Sequence, residues 1–387
     1  MKLGRYSKAL MMVGLAAMLG CGDSNNNNNT APPPSSGGQV QVAPAAVYVM
    51  TNNGIPNQIA EYRRDANGSL SYVNQFSTGG NGDGTELEGA HSPLFFQSST
   101  NRFYAVNAGS NTISAMVLGT DGSVNVLSTV SSNGVRPVSI AAIGDLVYVL
   151  NYGDINSNSP ANISGFRLVG SQLQPIPSST LALSTAHPDA TQIGFHPTGT
   201  VLVVTERGTD NITTFQVDSN GLAVNPLVQA SNGADPSGFD FTPNGLLMVA
   251  EANNANLGAG SASVYNVGVD GNLVDFTVSE PNGQTGTSHA RVYTNAPYAF
   301  TTNTDSDTVS SYGLDGQGVL TLVGNGANAV TGFAPTELGI SNDALYLYTL
   351  NQDSDTISSF SIGANGALTP IAGAVSVPAS AVGLVVR

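Results

Sequence analysis

An all-β fold, a seven-bladed β-propeller with four-stranded blades, is predicted by three observations. An apolar strand ending in a polar residue recurs seven times at intervals of about fifty residues. Each copy leads into a Gly/Asn/Asp turn and a second, alternating strand. The chain closes on a strand that its first copy lacks. These fix three segments: a lipoprotein-type signal over 1–20, a tether over 21–45 and the propeller over 46–387.

The signal comes first. Lys2, Arg5 and Lys8 precede the apolar run ALMMVGLAAML over 9–19, which suits the h-region of an export signal and is short for a membrane span. The only cysteine of the chain follows, in Met18-Leu19-Gly20-Cys21. This resembles the bacterial lipobox, which implies acylation of Cys21 as the new N-terminus. Met18 stands where Leu is usual. Gly22 stands where Asp would retain the protein at the inner membrane, so the resemblance implies a lipid-anchored, extracytoplasmic protein at the outer membrane. Residues 22–39, GDSNNNNNTAPPPSSGGQ, cannot bury a core and read as a tether.

The repeats begin at Ala46. Their strands end at Thr51, Asn107, Asn151, Glu206, Glu251, Asn303 and Asn351. The intervals of 56, 44, 55, 45, 52 and 48 residues are what loop insertions make of a fixed repeat. Outer hairpins follow at turns such as DANGSL (65–70), TDGSV (120–124) and DSNGL (218–222). A third strand, often introduced by Pro, precedes each copy, as in RPVSIAAI (136–143) and APTELGI (334–340). The first copy has no such strand, and VPASAVGLVV (377–386) has nothing after it. Joining the two completes the first blade and removes the open sheet edges.

Composition excludes several functions. The 387 residues carry a net charge of −15, which becomes −18 once 1–20, with three positive charges and no acidic one, are removed. So acidic a chain is no nucleic-acid binder. Both lysines lie in the first ten residues, which leaves no catalytic lysine, and a single cysteine excludes thiolate metal centres. No cofactor is expected, because no dinucleotide or phosphate-loop motif stands in strand–turn–helix context.

The Tyr-Val-x-Asn strands, the FHPTG and FTPNG hairpins and the Gly-x-Leu outer strands resemble the lactonase-type seven-bladed propellers. That family includes bacterial 6-phosphogluconolactonase and fungal carboxymuconate cyclase. The resemblance covers about residues 46–387 and implies a lactone hydrolase or cycloisomerase. It also implies an active site with a Pro-Arg-His at the start of an inner strand and a Glu at the end of the next. Here Thr191 and Gln192 stand at the Arg and His places. Arg207 aligns with the Glu, one position after Glu206. The reading favoured is therefore a module that binds a small molecule or a protein on the propeller face without turnover.

Candidate residues lie on the face where inner strands start and second strands end. The inner-strand starts are read as Phe95, Ser139, Gln192, Gly238, Arg291, Glu337 and Ser380. Glu206 and Glu251 replace Asn on adjacent blades. They could act as acid and base or hold a hard cation, though capping of a turn is favoured. Arg291 and Glu337, on adjacent blades, are expected to pair with each other, or Arg291 to bind an anion. Gln192, Arg207, Asn151 and Asn303 complete the candidate ligand contacts. No metal site is expected, since no two of His91, His187, His196 and His289 have zinc-ligand spacing and alternate blades hold them apart. His289, two residues before Arg291, is the histidine expected to act as a base. His196 is read as turn packing on the opposite face. Asp305-Ser306-Asp307 and Asp353-Ser354-Asp355 are read as hairpin turns rather than calcium loops.

Overall fold

The computed structural model describes residues 43–293, 297–323 and 329–387. The expected signal, Cys21 and nearly all of the expected tether lie outside the described residues. Seven antiparallel sheets form, one per repeat, and in blades 2 to 7 the four main strands run in chain order from the channel outwards. Blade 3 is representative, with strands Pro137–Ile143, Leu146–Asn151, Asn162–Val169 and Gln172–Pro175. Two short strands go beyond the expected plan: Leu181–Ala182 and Ala329–Val330 extend the edges of blades 3 and 6. No helix of the described residues is long and apolar enough to cross a membrane.

Blade 1 takes its inner strand from the C-terminus. Val382–Val386 pairs antiparallel with Ala46–Met50, with Val47 opposite Val386 and Val49 opposite Leu384. The Arg387 amide donates to Ala46 O and its side chain to Ala43 O at 2.6 Å, which ties the two ends together.

Second strands are sandwiched between neighbouring blades, so they read as continuous apolar runs. Leu146–Asn151 and Leu246–Glu251 are buried at every position. Aromatic rings fill the spaces between sheets, as where Tyr48 of blade 1 meets Phe103 of blade 2 edge-on, centroids 4.9 Å apart. Outer strands alternate and face water.

The Gly-containing outer turns have a second role. Gly221 adopts φ +80°, and a Cβ there would lie 2.9 Å from Leu146 of the preceding blade. The turn can therefore tuck inwards, and Tyr148 OH of blade 3 donates to Gly221 O at 2.9 Å and accepts from Ala223 N at 2.8 Å. At the ring closure Tyr348 OH of blade 7 donates to Gly68 O of blade 1 at 2.8 Å.

Candidate functional site

Inner strands begin with a register shift against the second strand in blades 3 to 7, for instance between Pro137 and Ser139 and between Pro335 and Glu337. Such a bulge bends the strand and re-aims one side chain. In blade 7 that side chain is Glu337 and in blade 6 it is His289. The blade 6 level differs from the sequence expectation. Thr287, not His289, stands opposite Asn303, as Pro335 stands opposite Asn351. Residue 289 is therefore the counterpart of 337, and Arg291 lies two residues further along. The same offset displaces Phe95, which pairs with Tyr104 where Ala141 pairs with Tyr148. Ser380 is displaced in the opposite sense, two residues short, since Val382 is the residue opposite Met50.

His91, His289 and Glu337 converge from blades 2, 6 and 7, and all three are buried. The expectation that alternate blades keep the histidines apart is corrected. The two rings stack, 4.7 Å between centroids and 9° between planes. The segment before blade 2 carries His91 across the channel, and its amide donates to Thr191 O of blade 4 at 2.8 Å. Gly238 of blade 5 makes room, because a Cβ there would fall 2.7 Å from His289 Cδ2 and 2.9 Å from His91 Cδ2. Glu337 Oε1 lies 3.8 Å from His91 Nδ1, and Oε2 lies 3.5 Å from His289 Nδ1. The Ser92 amide holds Oε1 at 2.8 Å, and the Leu338 amide donates to His289 Nδ1 at 3.1 Å. His91 Nε2 meets Ser237 Oγ at 3.0 Å and Ser288 Oγ at 3.3 Å.

Burial dominates the electrostatics. It pushes the Glu337 carboxyl up to about 7, against the opposing pull of the Ser92 amide and Arg291. It pushes His91 down to about 3, and His289 well below its ordinary value, with the positive field of Arg291 adding to both. Both imidazoles are therefore neutral near neutrality. Among the described residues this is the only grouping of three metal-ligating side chains.

Beyond this plug the channel opens towards the strand ends as a cavity of 920 Å³. Phe95, Phe195 and Phe241 give it apolar walls, and Gln192, Asp240 and Arg291 give it polar groups. Arg291 does not pair with Glu337 as expected. Its Nε donates to Leu338 O at 3.2 Å and its Nη1 lies 3.7 Å from Asp240 Oδ2, because its position along the strand places it past the Glu337 level. Its side chain is 29% exposed, so it reaches the cavity. Burial raises the Asp240 carboxyl, opposed by Arg291. Gln192 spans two blades, with Nε2 donating to Phe239 O and Oε1 accepting from Phe239 N, both at 2.9 Å.

Glu206 and Glu251 stand away from this cluster, inside their blades. Glu206 accepts from Ser184 Oγ and from Thr213 Oγ1 at 2.6 Å. Glu251 accepts from Ser263 at 2.5 Å, Ser261 at 2.6 Å and the Gly233 amide at 2.9 Å. They do not share a partner. Asn303 occupies the same place in blade 6, accepting from Thr287 at 2.9 Å and donating to Ser310 at 2.9 Å. Asn151 donates to Ser132 O and Asn162 in blade 3. Arg207 grips Asp189 through Nε at 2.8 Å and Nη2 at 3.0 Å. His187 is exposed, and His196 bonds Thr198 at 2.8 Å in its hairpin, edge-on to Phe241. In the two acidic hairpins, Asp307 Oδ1 accepts the Ala334 amide at 2.9 Å and Ser354 Oγ the Phe333 amide at 3.1 Å.

His91 and the offset of blade 6 escaped sequence reading. For blade 6 the available signal was Thr287, the counterpart of the introducing prolines.

The family model described as lactonase, 7-bladed beta-propeller, matches residues 82–383. Solved structures share the fold at low identity. A Bacteroides uniformis protein, described as a candidate 6-phosphogluconolactonase, superposes with a TM-score of 0.71 at 18% identity, covering 89% of this chain and 99% of its own. The periplasmic gluconolactonase of Pseudomonas aeruginosa gives 0.69 at 18% identity, covering 88% and 98%. A Lactobacillus plantarum protein gives 0.71 at 16%, covering 89% and 99%. A comparison with curated proteins finds no match.

Proposed function

Since the chain belongs to the family of seven-bladed β-propeller lactonases, we propose that it binds a small oxygen-rich anion in its central channel without turning it over. The ligand class is the sugar acids and their lactones. The carrying observation is what occupies the places of the family's Arg-His pair. Thr191 Oγ1 bonds Thr205 Oγ1 at 3.0 Å and Ser237 O at 3.2 Å, and Gln192 clasps the Phe239 backbone. These side chains are committed to joining blades. Arg291 is the cation that reaches the cavity floor, and a guanidinium there suits a carboxylate or phosphate. The lipobox at Cys21 supports an extracytoplasmic, lipid-anchored protein at the outer membrane, and the periplasmic Pseudomonas relative points to the same compartment.

A second reading, lactone hydrolysis, is favoured by one observation. Ser92 lines the cavity while its amide holds Glu337, whose carboxyl is pushed up to about 7. A carboxyl so poised suits general acid–base work.

A panel of sugar and muconate lactones, with their hydrolysed acids, separates the readings. Calorimetry is expected to find an acid that binds wild type and binds Arg291→Gln at least tenfold more weakly, with no lactone turned over above background. A wild-type rate that falls about a hundredfold or more in Glu337→Gln or His289→Ala would establish the enzyme instead.

A further inference from the structure

We propose that His91, His289 and Glu337 form a binding site for a divalent transition-metal ion of the zinc class at the closed end of the channel. One nitrogen of each imidazole and one carboxylate oxygen lie within 4.8 Å of one another. The site is distinct from the cavity around Arg291 and does not rest on the ligand proposed there.

Unpartnered atoms are the first argument. Two of the ligand atoms, His91 Nδ1 and Glu337 Oε2, are buried without a hydrogen-bond partner. Buried polar atoms are nearly always satisfied, and an exception calls for a cause such as an ion. The carboxylate–imidazole separations of 3.5 and 3.8 Å are too long for hydrogen bonds. The shorter, from Glu337 Oε2 to His289 Nδ1, suits two ligand atoms that each stand about 2 Å from one shared ion.

Chemistry is the second. Two imidazoles and one carboxylate suit zinc and its neighbours, whereas calcium and magnesium take oxygen donors. The outer contacts also fit. With His91 Nδ1 on the metal, its Nε2–H donates to Ser237 Oγ, 3.0 Å away. The Ser92 amide fixes Glu337 Oε1 and leaves Oε2 to the ion.

Coordination carries a defined structural consequence. Lone pairs of parallel rings do not converge on one point, so the 9° stack must open. His289 Nδ1 then exchanges its hydrogen bond from the Leu338 amide for the ion. Three protein ligands leave a fourth position for water.

The test uses the full chain, without a polyhistidine tag and stripped by chelator. Titration with Zn²⁺ is expected to show one saturable equivalent, with Ca²⁺ binding at least a hundredfold more weakly. His91→Gln and Glu337→Gln should each weaken Zn²⁺ binding at least tenfold, while His187→Gln, at an exposed loop, should not. Co²⁺ loaded into wild type should give visible d–d absorption that Zn²⁺ displaces, a readout independent of how the variants fold. Absence of saturable Zn²⁺ binding to wild type would overturn the proposal. So would binding that persists unchanged in both variants, or Ca²⁺ binding as tight as Zn²⁺. Because the Arg291→Gln ligand assay reads a different site, loss of either proposal leaves the other to its own test.

Discussion

Truncating the Glu251 side chain to a methyl group would remove the acceptor of the hydroxyls of Ser261 and Ser263 and of the Gly233 amide. Each buried donor left alone costs about 1–3 kcal/mol. Glu251→Ala is therefore expected to lower stability by about 3 kcal/mol, read from urea unfolding. Glu251→Gln should cost less than half as much, because serine hydroxyls can turn to accept from the new amide. Equal losses in both variants would show that shape, not acceptor chemistry, holds that corner. Gly238 gives a sharper case. A Cβ would strike both stacked imidazoles, so Gly238→Ala should shift the ring-proton NMR signals of His91 and His289. An unchanged spectrum would mean that the plug is looser than the geometry indicates.

Between elements, cohesion depends on turns that reach back to the preceding blade. Tyr148→Phe removes the bonds to Gly221 O and Ala223 N and should cost about 2 kcal/mol. Tyr48→Phe is expected to be nearly neutral, since Tyr48 OH is buried without a partner. A larger loss at Tyr48 than at Tyr148 would show that ring packing, not the latch, joins the blades. This scale also shows how far sequence reading reached. The polar residue that ends each copy, Asn at 107, 151 and 303, locates second strands, because such a mark needs no partner to be recognised. The inner strands were harder. Their level is set by a bulge and by which residue opposes the terminal Asn, a matter of pairing. Counting from proline therefore worked for Gln192 and Glu337 and slipped two residues at Arg291. His91 was illegible because its loop crosses the channel, and nothing local in His91-Ser92-Pro93 records that crossing.

For the whole molecule, ring closure is the critical event. Truncation after Ala374 removes Val382–Val386 and bares the apolar strand Ala46–Met50. An unpaired edge of that kind promotes aggregation. The truncated protein should aggregate or lose cooperative unfolding, and one that melts like wild type would show the closing strand to be dispensable. At the other end, Cys21→Ser should abolish palmitate labelling and leave the signal uncleaved by the lipoprotein peptidase. Labelling that survives the substitution would remove the anchor from the proposal.

Closure by the last strand also imposes an order of events in time. The strand pairs made of residues near 48 and near 385 are separated by more than three hundred residues. Blades 2 to 7 can each assemble as their own residues emerge from the ribosome or translocon. Blade 1 waits for Val382–Val386, holding an apolar edge open throughout. Contacts of such separation are slow to form and expose the chain while they are pending. A holding chaperone would thus act on the N-terminal blade, and a chain lacking the closing strand would be the species it cannot release.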